Sequence, residues 1–327
     1  MTLLFDRHRR IASPALAPAD FDGRARRPIE LTIGLVNNMP DSALKATDHQ
    51  LARLLQNAAP RHVHIRLHCF SLPSIARAQA AQNHVAQAYT DIGELDGLGI
   101  DGLIVTGAEP IASDLRDEAY WPELTSIIDW AKTKTRSTIW SCLAAHAAVL
   151  HLDGVERQRL AAKCSGVYNC IKVQDDWLTD GIGSPLEVPH SRLNAVNEPL
   201  LASRGYEILT RSDDVGVDIF ARSMPSRFVF FQGHPEYDAL SLQREYMRDI
   251  ARFLAGQRDD YPRLPKSYFS AETEAVLNAF EARAKVKRDP TIAAELPGLT
   301  LRPDLAAGNA ADLLFKNWIS FLARQAG

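Results

Sequence analysis

Long apolar runs and net charge are both missing from this sequence of 327 residues. No segment approaches the roughly 20 apolar residues that a membrane-spanning helix requires. The 37 Lys and Arg stand against 40 Asp and Glu, a formal charge of −3, so there is no global field to draw a nucleic acid or an anionic membrane, and neither is expected as a partner. Cysteine is sparse: Cys69, Cys142, Cys164 and Cys170 show no CxxC pairing, which fits neither a disulfide scaffold nor a zinc site. With no Walker-type phosphate loop and no GxGxxG segment, a nucleotide cofactor is not implied and no metal is expected. Residues 1–27 are too charged to hold the apolar stretch of a secretory signal, so the cytoplasm is the expected location.

What remains is an ordinary globular composition, 46% hydrophobic and 24% charged with 18 Gly and 18 Pro, long enough to enclose a pocket for small molecules. Residues 1–29 carry two basic clusters, DRHRR from Asp6 and GRARR from Gly23, and no periodicity; they read as an N-terminal arm, a solvated tail or a strap over the domain or a partner subunit. From Ile29 the texture alternates. IELTIGLV, HVHIRLHCF, DGLIVTG and STIWSC read as strands, with helices in LKATDHQLARLLQNA, in part of residues 73–88, in AYWPELTSIIDWAKT and in CLAAHAAVLHLDG. This pattern predicts an α/β fold, a mostly parallel twisted sheet flanked by helices, with the loops after Val36, Val105 and Trp140 meeting beyond the strand ends. After Gly154 the texture turns toward β, before a helix over residues 240–255. The chain thus divides into the arm, a main domain over residues 30–256, where a catalytic site is expected, and an extension over residues 257–327. The extension ends in ADLLFKNWISFLA, where Leu313, Leu314, Trp318 and Phe321 recur at helical spacing, an anchor for the core or for a partner chain.

Cys142 stands where strand formers turn directly into a helix of small residues, beside free N–H groups and the positive end of a helix dipole. That setting lowers a thiol pKa and can hold an oxyanion. A buried inert thiol is the plain alternative. The base that would decide it is offered by Gly233-His234-Pro235-Glu236 after the strand RFVFFQ: residues two apart in an extended chain project to one side, so Glu236 is expected to hold one nitrogen of His234 while the other faces Cys142. His62, His64, Arg66 and His68 fall on one face of the second strand and read as a solvated face rather than metal ligands. Cys164 and Cys170 read as structural or incidental thiols.

The elbow and GHPE segment look like class I glutamine amidotransferases. Together with VNNMP (residues 36–40), DGLIVTGA (101–108), AYWPEL (119–124), Lys163 with SGVY (165–168), PHSR (189–192), GHPEYD (233–238), Arg248-Asp249 and LLFKNW (313–318), the chain more closely resembles the homoserine O-acyltransferases, built on that same flavodoxin-like domain. The resemblance implies an acyltransferase of methionine biosynthesis with no cofactor and acyl-CoA as co-substrate, acting on L-homoserine by a ping-pong route and working as a homodimer. It makes Cys142 the acyl-thioester nucleophile, His234 the proton acceptor and Glu236 its orienting partner, with substrate contacts at Lys163, Ser191 and Arg248 and an oxyanion hole at Leu143 and Gly107. It places Ile111 and Glu109 beside the acyl group; an uncharged Ile111 tilts the expected donor from acetyl-CoA to succinyl-CoA. The family's loop lysines have only Lys45 as a counterpart, four residues further on. L-serine as acceptor, a glutamine-hydrolysing amidotransferase module and a non-catalytic sensor on the same fold are the alternative readings.

Overall fold

The computed structural model describes residues 9–11, 29–108, 110–296, 298–303, 305 and 309–326. Its first half alternates strand and helix: β1 (Arg9–Ile11), β2 (Ile29–Val36), α1 (Asp41–Ala58), β3 (Val63–Phe70), α2 (Gln79–Ala88), β4 (Gly102–Val105), α3 (Trp121–Lys134), β5 (Ser137–Ser141) and α4 (Leu143–Asp153). The second half runs β6 (Gln158–Lys172), β7 (Leu186–Ala195), α5 (Glu198–Ser203), β8 (Glu207–Ile208), β9 (Thr210–Ser212), β10 (Gly216–Val217), β11 (Ile219–Ser223), β12 (Arg227–Phe231), α6 (Ser241–Leu254), α7 (Ala271–Val286) and α8 (Asn309–Ala326).

An eight-stranded sheet in the order β1-β3-β2-β4-β5-β12-β11-β8 forms the centre; its inner strands from β3 to β12 are parallel, and β1, β11 and β8 join antiparallel. Every residue of β4, β5 and β12 is buried, as expected for strands covered on both faces, where apolar runs are continuous rather than alternating. Alternate residues supply the two faces. Ile104, Ile139 and Val229 pack toward α1 and α8, while Leu103, Val105, Trp140, Phe228 and Phe230 pack toward α3 and α4. A smaller sheet, β10-β9-β6-β7, stands beside the main one, and α6 with α7 encloses a third apolar cluster.

The closing segment packs on its own chain: Trp318 is fully buried, its indole N–H donates to Ser137 Oγ at 3.0 Å, and Leu314, Phe315 and Leu322 share a core with β2 and α1. Gly102 makes this close approach possible, since a Cβ there would lie 2.5 Å from Leu322 and 2.8 Å from Trp318. On β3 the expectation of one solvated face fails at its end. His64 and Arg66 are exposed, but His68 is only 3% exposed because the chain after α2 folds across it, with Thr90 N–H bonded to Cys69 O and Thr90 Oγ1 lying 3.3 Å from His68 Nδ1. Of residues 1–28 of the N-terminal arm only Arg9–Ile11 is described, paired with β3 as an edge strand, while Ile29, counted with the arm, already begins β2. Among the described residues no helix is long and apolar enough to cross a membrane.

Candidate active site

Cys142 closes β5 and opens α4 with φ 51° and ψ −110°, a left-handed conformation that a residue with a side chain adopts only under strain of about 1–3 kcal/mol. The strain is held by the strand ladder, through a 2.7 Å bond from Cys142 N–H to Phe231 O. The sharp turn lifts the thiol beyond the sheet and leaves the first N–H of α4, that of Leu143, without an intrahelical acceptor. The three strand-end loops do meet. Asn38 N–H donates to Thr106 Oγ1 at 2.8 Å, and Gly107 lies so close to the elbow that a Cβ would come within 2.5 Å of Leu143 Cβ and 3.0 Å of its nitrogen. Gly107 and Leu143 therefore form one wall beside the thiol.

Because β12 runs parallel to β5, with Phe231 opposite Ser141, the residues that follow each strand emerge side by side, and His234 reaches Cys142. His234 and Glu236 are both buried, and His234 Nδ1 lies 2.7 Å from Glu236 Oε1. The pairing arises differently from the extended geometry expected. Tyr237 N–H bonds to His234 O at 3.1 Å, so residues 234–237 form a tight turn with Pro235 at the position where its fixed φ is favoured; the turn, not strand pleating, brings the carboxylate back to the ring. Burial alone would lower the His234 pKa, but the Glu236 carboxylate and contact with Cys142 outweigh it and hold the imidazole well above 6.5.

The residues expected to bind substrate converge around two acids of α6, Glu245, which sequence reading did not single out, and Asp249, which it noted only within the Arg248-Asp249 segment. Lys163 from β6 donates to Glu245 at 3.2 Å and to Asp249 at 3.0 Å. Ser191 from β7 donates to the same Glu245 oxygen as Lys163, Oε2, and Arg248 bonds Asp249 Oδ1 at 3.2 Å. Both carboxyls sit below their ordinary pKa: burial opposes this, but Lys163 and the hydroxyl donors outweigh it at Glu245, and Lys163 with Arg248 does so at Asp249. Their signal in the sequence is the i, i+3, i+4 spacing of Glu245, Arg248 and Asp249, which puts them on neighbouring positions of one helix face.

Ile111 and Lys45 lie elsewhere. Ile111 is 97% exposed, neither lining an enclosed pocket nor packing beneath the loop, because that loop is fixed through its backbone: the N–H groups of Ile111 and Ala112 both bond Glu118 Oε1 at 2.6 Å. Glu109 lies outside the described residues, and Lys45 is exposed on α1. A cluster that sequence reading missed joins Cys170, His190 and Asp218, all fully buried with ligand-type atoms within 4.8 Å of one another. Its chemistry suits a hydrogen-bond network rather than a metal. Asp218 already accepts from Thr210 Oγ1 at 2.9 Å and from Gly233 N–H at 3.3 Å, Arg192 brings a guanidinium to His190 Nδ1 at 3.3 Å, and burial with Asp218 pushes the Cys170 thiol up, away from the thiolate a metal takes. The network supports the backbone just before His234.

The family described as HTS: Homoserine O-succinyltransferase matches residues 20–327. Over 323 residues the chain is 80% identical to a homoserine O-succinyltransferase of Bradyrhizobium japonicum, covering 99% of both. It is 55% identical over 333 residues to one from Rhodopseudomonas palustris, covering 99% of this chain and 100% of that one. Among solved structures, a glutamine amidotransferase from Thermotoga maritima aligns over 82% of this chain and 96% of its own at 12% identity and a TM-score of 0.46.

Proposed function

The chain belongs to the homoserine O-succinyltransferase family, and from that premise we propose that it transfers a succinyl group from succinyl-CoA to the hydroxyl of L-homoserine, the acylation step of methionine biosynthesis, through a thioester on Cys142. The observation that carries this reading is the strained elbow thiol facing an imidazole whose far nitrogen is held 2.7 Å from a buried carboxylate.

In the first half-reaction His234, held in its charged form, already carries the proton of the Cys142 thiol, and the sulfur attacks the donor's carbonyl. The Leu143 and Gly107 N–H groups are the donors for the oxyanion. Collapse of the tetrahedral adduct breaks the C–S bond to CoA, and the leaving thiolate takes the proton back from His234. In the second, His234 accepts the proton of the homoserine hydroxyl, whose oxygen attacks the acyl-enzyme; Cys142 leaves as thiolate while His234 keeps the proton, which restores the charged pair. An amino acid acceptor presents one cation and one anion, and the α6 cluster offers both complements: Lys163 and Arg248 for its carboxylate, Glu245 for its ammonium.

The test is mass spectrometry of the enzyme mixed with succinyl-CoA alone, together with initial-rate kinetics. One succinyl adduct on Cys142 and parallel double-reciprocal lines are expected; an unmodified Cys142 with intersecting lines would falsify the scheme. Crossing acetyl-CoA and succinyl-CoA with homoserine and serine in the same assay fixes both substrates.

A further inference from the structure

Tyr237 has no step in the transfer scheme, yet it touches both halves of the site. Its ring stacks on His234 with centroids 4.3 Å apart and planes 18° from parallel, a consequence of the turn that joins Tyr237 N–H to His234 O. Its hydroxyl donates to Glu245 Oε1 at 2.5 Å, while the other oxygen of that carboxylate takes Ser191 and Lys163.

The nitrogens of His234 are committed at their edges, Nδ1 to Glu236 and the other side to Cys142, so only the faces of the ring remain by which its plane can be fixed. A stacked phenol does this without competing for either nitrogen, and its electron-rich face favours the imidazolium of each half-reaction. Phenylalanine would stack as well. What tyrosine adds is the hydroxyl, which reaches the acid against which the acceptor is proposed to dock.

We propose that Tyr237 is a positioning residue with two separable tasks: its ring sets the plane of the His234 imidazole, and its hydroxyl sets the Glu245 carboxylate, so that one side chain fixes the distance between proton acceptor and acceptor subsite. This rests on the acyl-transfer reading above. The ring serves both half-reactions, whereas the hydroxyl acts through Glu245, against which only the acceptor of the second is proposed to dock.

Tyr237→Phe and Tyr237→Leu separate the tasks, with single-turnover acylation of Cys142 by succinyl-CoA and steady-state KM for homoserine measured on wild type and both variants. Tyr237→Phe is expected to acylate within about twofold of wild type and to raise the homoserine KM about tenfold or more. Tyr237→Leu is expected to slow acylation at least about tenfold as well. Equal losses in both half-reactions for Tyr237→Phe, or an unchanged homoserine KM, overturn the positioning role while wild-type acylation stands. Absence of an acyl-enzyme in the wild type overturns the transfer reading and this proposal with it. Thermal melts of both variants identify a loss caused by misfolding; if Tyr237→Phe melts with wild type, the split in its kinetics alone decides.

Discussion

At the scale of single residues, Glu236 and Gly107 do work that their neighbours cannot take over. Glu236 opposes the burial of an imidazolium at His234. In Glu236→Gln the amide can turn its NH₂ to Nδ1, which selects the tautomer protonated on the catalytic side and leaves only the contact with Cys142 to oppose burial. The acylation rate should fall by roughly 10²–10⁴, measured by rapid quench with succinyl-CoA; a rate within the error of wild type would sink the role given to the carboxylate. The sign of the linked stability follows from the raised pKa: stabilisation by the charged His234 is complete below the unfolded value of about 6.5 and is lost as pH rises through the higher folded value, so Glu236→Gln should lose most of it on the acid side. Gly107 acts through space rather than charge. A methyl at that position meets Leu143 at 2.5 Å, so Gly107→Ala should push the loop off the elbow, lowering the melting temperature and costing the folded enzyme roughly 10²-fold in acylation. A large drop in melting temperature with normal chemistry would instead make the contact structural.

At the scale of elements, the strand ends divide labour. The carboxyl ends of β2, β4, β5 and β12 present the site, while α8 packs near the opposite ends, against Gly102 at the start of β4 and Ser137 at the start of β5. Trp318→Ala removes a fully buried indole and strands Ser137 Oγ of a donor, a loss of about 3–5 kcal/mol in stability. Denaturant titration should register that loss, with kcat of the folded fraction unchanged; a fall in kcat at full folding would mean that α8 transmits to the site. Strands β4 and β5 were legible in the sequence as short β-prone runs buried on both faces, and β3 as apolar residues alternating with the exposed His64 and Arg66. The fate of β8 to β11 was not legible. These strands are two to five residues long, too short for a period, and whether each joins the main sheet or the smaller one is a matter of register with partners far away in the chain.

At the scale of the whole molecule, stability toward acid is tied to α4. His146 is fully buried, hydrogen-bonded to Gln232 at 3.2 Å, and burial pushes its pKa down to about 4. Folding therefore keeps it neutral while the unfolded chain protonates it from about pH 6.5 downward, so the fold loses stability between those values as pH falls, at up to about 1.4 kcal/mol per pH unit. Urea unfolding at pH 7 and pH 5 should show a drop about 2 kcal/mol smaller in His146→Gln than in wild type; equal drops would assign acid sensitivity to other groups. The elbow at Cys142 and the His234-Glu236 pair could be read from the sequence because each is a local event, a strand breaking into a helix and a His-Pro-Glu segment after a strand, although the segment was expected as extended chain and forms a turn. The linear order by itself determined the alternation of strands and helices and the elbow, since these depend on backbone chemistry and burial within a few residues. Only the tertiary structure decided that Lys163, Ser191, Tyr237 and Glu245 share one cluster, that Ile111 faces solvent and that Cys170, His190 and Asp218 lie under the histidine loop, because contacts between residues tens of positions apart are set by strand register and helix docking, which no local pattern encodes.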